Sequence, residues 1–160
     1  MKKTFKEYEV GDKAVDNLIK DLAMCCGSAD TGFLLREILT TVVKLGKESA
    51  DKGDLKLVNN ALKELRYSFK IFSPYRDIKK VIIFGSARSK NTSAEYKMAE
   101  EFSRKITAKG YMVVTGGGPG VMEAGNKGAQ TGKEFALNIN LPHEQKPNPY
   151  STLRLSYRYF

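Results

Sequence analysis

The sequence holds two cysteines, and they are neighbours, Cys25 and Cys26. Adjacent cysteines make neither a disulfide framework nor a zinc site, so no metal is expected. The sequence reads as that of a protein of a reducing compartment, the cytoplasm. Only one histidine is present, His143. No uncharged apolar run approaches the roughly 20 residues of a membrane span. The basic start, Met1 to Glu7, leads into no apolar stretch, so no signal peptide is expected. Blocks of five like charges, internal repeats and low-complexity segments are also missing, so charge alone supports no arm that tracks a phosphate backbone. What is there is a net charge of +9, from 27 basic and 18 acidic residues, spread over both halves. Its plain meaning is a solvated surface. Its sharper meaning is affinity for anions such as nucleotides or nucleic acid. With 41% hydrophobic residues in 160, the chain can build a real core.

The pattern changes near Pro74. Before it the apolar spacing is helical: Val15, Leu18, Ile19 and Leu22; then Leu35, Ile38, Leu39, Val42 and Val43; then Leu55, Val58, Leu62, Leu65, Phe69 and Phe72. Gly27, Gly32 and Gly53 punctuate three helices, and Asp54 is placed to cap the third. The last stripe predicts packing on the rest of the chain or, alternatively, a seam between two copies. After Pro74 a short β-branched run, Lys80 to Phe84, predicts a strand buried on both faces. Thr92-Ser93-Ala94-Glu95 reads as a capping box with Thr92 as cap. Met98, Ala99, Phe102 and Ile106 are the expected inner face of the helix that follows, with Gly110 as its left-handed terminus. Tyr111 to Thr115, a helix over about 120–130, and Phe135 to Ile139 complete the pattern. Strand, helix, strand, helix, strand with short links means right-handed crossovers and a parallel sheet. The fold class is therefore α/β, a partial doubly wound (Rossmann-like) parallel sheet with an N-terminal helical region. The expected domains are a helical extension over 1–74 and a nucleotide-binding half-domain over 75–160.

Ligands of open parallel sheets sit beyond the carboxyl ends of the strands. Three loops are placed there. Gly116-Gly117-Gly118-Pro119-Gly120-Val121-Met122 brings four glycines to a strand-to-helix turn, where backbone N–H groups can approach an anion and the helix start adds positive charge. Gly85-Ser86-Ala87-Arg88 adds a hydroxyl and a permanent cation that can hold two phosphate oxygens. The third loop carries Leu141, Pro142, His143 and Glu144; His143 reads as solvated, and Glu144 is the better candidate. Two common phosphate motifs fail. Neither Gly116 nor Gly118 opens a G-x-G-x-x-G, because Val121 and Glu123 stand at the sixth positions, and Gly132-Lys133 lacks the rest of a Walker A pattern.

The runs Val81 to Arg88, Val114 to Ala124, Gly128-Ala129 and Asn138 to Tyr150 together resemble the Lonely Guy (LOG) family of nucleoside 5′-monophosphate phosphoribohydrolases, often mislabelled lysine decarboxylases. The resemblance covers about residues 78–160 and is to the longer bacterial members. It implies cleavage of the N-glycosidic bond of AMP or a cytokinin nucleotide to free base and ribose 5-phosphate. It further implies nucleotide binding by Gly85, Ser86, Arg88, Gly116, Gly117, Gly118, Gly120, Val121, Met122 and Glu144, no cofactor, and a homodimer or larger assembly. The family's catalytic Arg, in an R-K pair, and Glu, in P-G-G-x-G-T-x-x-E, have no counterpart after residue 104. The expectation is an N-terminal piece of a longer protein, inactive alone. A non-catalytic nucleotide sensor is the alternative; a DNA-binding relative, prompted by the charge and Arg88, ranks below both. No lysine stands in a context that marks a Schiff base, so a pyridoxal enzyme is not supported.

Overall fold

The computed structural model describes residues 8–48, 50–129, 131–139 and 147–159. The chain forms two compact units, Met1–Asn59 and Asn60–Phe160. In the first, α1 (Lys13–Cys26) and α2 (Gly32–Lys47) pack as a hairpin, and α3 (Lys52–Phe72) begins there and runs into the second. Asp12 caps α1 by accepting from the N–H groups of Ala14 and Val15. The start of α3 departs from expectation. Asp51 is the cap, accepting from the Asp54 N–H at 2.9 Å, while the Asp54 carboxylate returns to the Asp51 N–H at 3.2 Å. That reciprocal pair satisfies two orphan donors. Of the apolar stripes, Ile19 and Ala23 are buried, whereas Leu18, Leu22, Ile38 and Val42 are exposed.

The second unit is a four-stranded, all-parallel sheet in the order β1-β2-β3-β4, with β1 (Lys80–Ile82), β2 (Met112–Thr115), β3 (Glu134–Ile139) and β4 (Leu153–Tyr157). The fold is the expected α/β parallel sheet with helices before it. Strand β4 is an addition to the three strands foreseen. It shields the outer side of β3 and buries Leu155. Its first turn is held by Glu134, fully buried, whose carboxylate accepts from the Thr152 N–H and hydroxyl. One face of the sheet is covered by the end of α3 and the single turn after it. Phe72 stacks on the fully buried Phe135 at 4.4 Å between centroids, and Tyr75 meets the same ring edge-on at 5.2 Å. Met112 and Val114 complete this cluster. The stripe of α3 thus packs at its C-terminal end, while Leu55, Leu62 and Phe69 are exposed.

The other face carries α4 (Ala94–Ala108) and α5 (Val121–Gly128), which pack on each other and on β2. Three expectations need correction here. Strand β1 is not buried on both faces: Ile82 is 60% and Phe84 79% exposed. It is the edge of the sheet, and an apolar run alone does not tell an edge strand from a central one. The cap of α4 is Ser93, not Thr92; its Oγ accepts from the Tyr96 N–H. Glu95 still turns back to this end, where its own N–H and then the Ser93 hydroxyl hold its carboxyl below the usual range. The inner face of α4 is Tyr96, Ser103 and Thr107, with Ala99 and Ile106 half-buried, while Met98 and Phe102 face outward. The reason is a very close helix crossing: a Cβ on Gly128 would lie 2.0 Å from the Glu100 carbonyl oxygen. Such proximity selects small residues and excludes the large apolar ones that spacing suggests. Among the described residues no helix is long and apolar enough to cross a membrane.

Candidate functional site

The loops after β1 and β2 meet at the carboxyl end of the sheet. The Val121 N–H, first in α5, donates to the Ser86 carbonyl at 3.1 Å. A Cβ on Gly85 would stand 2.5–2.6 Å from Val121, and one on Gly120 would stand 2.3 Å from the Ser86 oxygen. Gly120 also has φ +69° and Gly117 φ +75°, backbone that L side chains rarely adopt. These glycines are therefore accounted for by close approach and chain direction. Gly116 and Gly118 are different: the nearest atoms to their absent Cβ groups belong to the flexible side chain of Met122. They leave bare backbone covered by one movable thioether.

Polar groups fix this backbone from behind. The Thr115 hydroxyl accepts from the Gly117 N–H at 2.9 Å and donates to Asn126 Oδ1 at 2.7 Å. The Asn148 side-chain amide donates toward Gly117 O, Gly118 O and Asn126 Oδ1 at 3.0–3.1 Å. The N–H groups of Gly118, Gly120 and Met122 have no acceptor among the described residues. Ser86 Oγ accepts from the Arg88 N–H at 3.1 Å, a local turn that sends the exposed Arg88 outward from the junction of the two loops. Its guanidinium makes no hydrogen bond or ion pair among the described residues.

The structure thus joins Gly85, Ser86, Gly120 and Val121 directly, and sets Gly116, Gly117, Gly118 and Met122 on one continuous loop. His143 and Glu144 lie outside the described residues. Beside Gly85 and Ser86 runs an apolar groove of about 600 Å³, walled by Ile83, Ala94, Met98, Ala99, Phe102 and Val121. Sequence reasoning placed Met98 and Phe102 in the core and missed it. It also missed Asn126 and Asn148. The signal for Asn126 was a polar residue among the small ones of α5; Asn148, between two prolines, reads only as a turn. No group of three metal-ligating side chains occurs among the described residues.

One carboxylate near the loops is already engaged. Glu123, in the first turn of α5, accepts from the Tyr96 hydroxyl at 2.9 Å. Burial, and then the bond to Glu123, push the Tyr96 phenol above its ordinary value. A raised folded value means that the phenol's contribution to stability is complete below about pH 10 and is lost as the pH climbs past it. Tyr96→Phe is therefore expected to flatten the fall in the denaturation midpoint above pH 10, measured by urea titration across pH 8–11. An equal fall in both proteins would contradict this coupling.

Among known proteins, the model of the SLOG cluster4 family matches residues 78–155, just under half of the chain and the whole of the site above. No curated protein matches the chain. The sheet portion is therefore similar to a SLOG family, a grouping that includes LOG-like proteins.

Proposed function

We propose that residues 78–155 form the phosphate-holding part of a site for nucleoside 5′-monophosphates of the LOG type, in which the N-glycosidic bond is cut to free base and ribose 5-phosphate. The observation that carries this reading is the junction of the two loops. Val121 N–H on Ser86 O and the bare Cα of Gly120 against Ser86 bring a hydroxyl loop, an uncommitted arginine and unclaimed N–H groups at a helix start to one place. The phosphate lies against Gly118, Gly120, Met122 and Ser86, with Arg88 closing over it. The base extends along the apolar groove between Phe102 and Val121.

Bond cleavage needs a group to stabilise the ribosyl cation and another to aim water at C1′. The residues at the loop junction supply neither: Glu123 is tied to Tyr96, and the sequence carries no P-G-G-x-G-T. This favours binding without turnover by this chain, and it gives the second reading, a nucleotide-sensing module, the same immediate prediction. Calorimetry tests both. AMP and ribose 5-phosphate are expected to bind saturably, adenosine at least tenfold more weakly, and no adenine is released. Arg88→Ala is expected to weaken AMP by about 2 kcal/mol, the size of a lost charge-assisted contact, while leaving the thermal midpoint unchanged. Equal binding of adenosine and AMP would refute the phosphate assignment, and free adenine would refute the division of labour.

A further inference from the structure

We propose that Asn148 is a positioning residue for the phosphate loop, a role that rests on the reading of the site given above. Three glycines in a row have no preference for one backbone path, so something else must hold Gly116–Gly118 in place. Asn148 is 5% exposed and reaches the loop from the segment that leads into β4. Its own N–H donates to Gly117 O at 2.8 Å, and its Nδ2 donates toward Gly117 O and Gly118 O at 3.0 and 3.1 Å.

The orientation of that amide is fixed at both ends. Its Oδ1 accepts from the Tyr150 N–H at 3.1 Å, and its Nδ2 faces oxygens that can only accept. Asn126 Oδ1, 1% exposed as a residue, is one of them, and it is itself oriented by the Thr115 hydroxyl. Thr115, Asn126 and Asn148 thus form one directed chain that grips Gly117 by its N–H and its C=O. In a trans peptide the carbonyl and the following N–H point opposite ways. Holding Gly117 C=O toward Asn148 therefore turns Gly118 N–H away from it, toward the uncovered side of the loop. Asn148 touches no ligand; it decides which way the loop's donors face.

The test uses the whole chain and its Asn148→Ala and Asn148→Asp variants, with Phe135→Leu as a control that loosens the sheet elsewhere. Amide exchange at Gly117 and Gly118 is read by NMR, and ribose 5-phosphate affinity by calorimetry. Both Asn148 variants are expected to speed loop exchange and weaken binding about tenfold, the scale on which supporting groups act in metal sites. The aspartate is expected to be the worse of the two, because a carboxylate faces two carbonyl oxygens. The control keeps its affinity and its loop protection relative to the strands. Loop exchange in Asn148→Ala no faster than in Phe135→Leu overturns the proposal. A wild-type chain that ignores ribose 5-phosphate overturns the phosphate reading instead, and the exchange comparison then decides the role of Asn148 by itself.

Discussion

Gly120→Ala is expected to abolish nucleotide binding and to lower the thermal midpoint by about 10 °C. Two costs add at this position. The backbone stands at φ +69° and ψ −130°, a region open in practice to glycine alone, and forcing another residue there costs about 1–3 kcal/mol. The added Cβ would also stand 2.3 Å from the Ser86 oxygen and 2.8 Å from the Ala87 carbonyl carbon, both main-chain atoms with no side-chain freedom to yield. The two loops must separate, and with them Val121 N–H leaves Ser86 O. About 3 kcal/mol in a chain of this length corresponds to the stated shift in midpoint. Gly110→Ala is the matching control. Gly110 has φ +85° but open space around it, so only the conformational cost of about 1 kcal/mol remains and binding is kept. Scanning calorimetry and AMP titration of the two variants make the comparison. Equal effects from both would mean that the contact between the loops contributes nothing.

Phe135→Ala is expected to cost about 3–5 kcal/mol, enough to unfold much of the sheet unit near body temperature. The ring is fully buried on β3, stacked on Phe72 and met edge-on by Tyr75, with Met112 and Val114 around it. It joins the helix that precedes the sheet to the strands that carry the site. Loss of the ring leaves a cavity that no neighbour on a regular strand can fill. The measurement is the urea midpoint of the second unit, followed by near-ultraviolet circular dichroism. A cost below 1 kcal/mol would show that the α3 end does not stabilise the sheet.

The sequence made the alternation of strands and helices plain because short apolar runs were bounded by glycines, and Gly110 and Gly117 do take the left-handed backbone that such positions suggest. Spacing could not separate the two sides of α4. A stripe of Met98 and Phe102 looks like a core, yet the helix crosses α5 so closely that Ser103 and Thr107 are the residues inside. Strand β4 was overlooked although Leu153, Leu155 and Tyr157 alternate with Arg154 and Ser156, the period of a strand. The glycine loop was legible as a cradle, but its four glycines looked equivalent. Only coordinates separate Gly117 and Gly120, which the chain path requires, from Gly116 and Gly118, which keep backbone bare. Asn148 was invisible for another reason: a hydrogen bond between residues about thirty positions apart leaves no local pattern.

The central claim is that the loops after β1 and β2 hold a phosphate together. The most direct measurement is the amide NMR spectrum of the chain titrated with ribose 5-phosphate at constant pH and ionic strength. The account predicts saturable shifts with one dissociation constant at Ser86, Arg88, Gly118, Gly120 and Met122, and little change in α1 and α2. Shifts confined to lysines and arginines scattered over both units, vanishing as salt is raised, would contradict it.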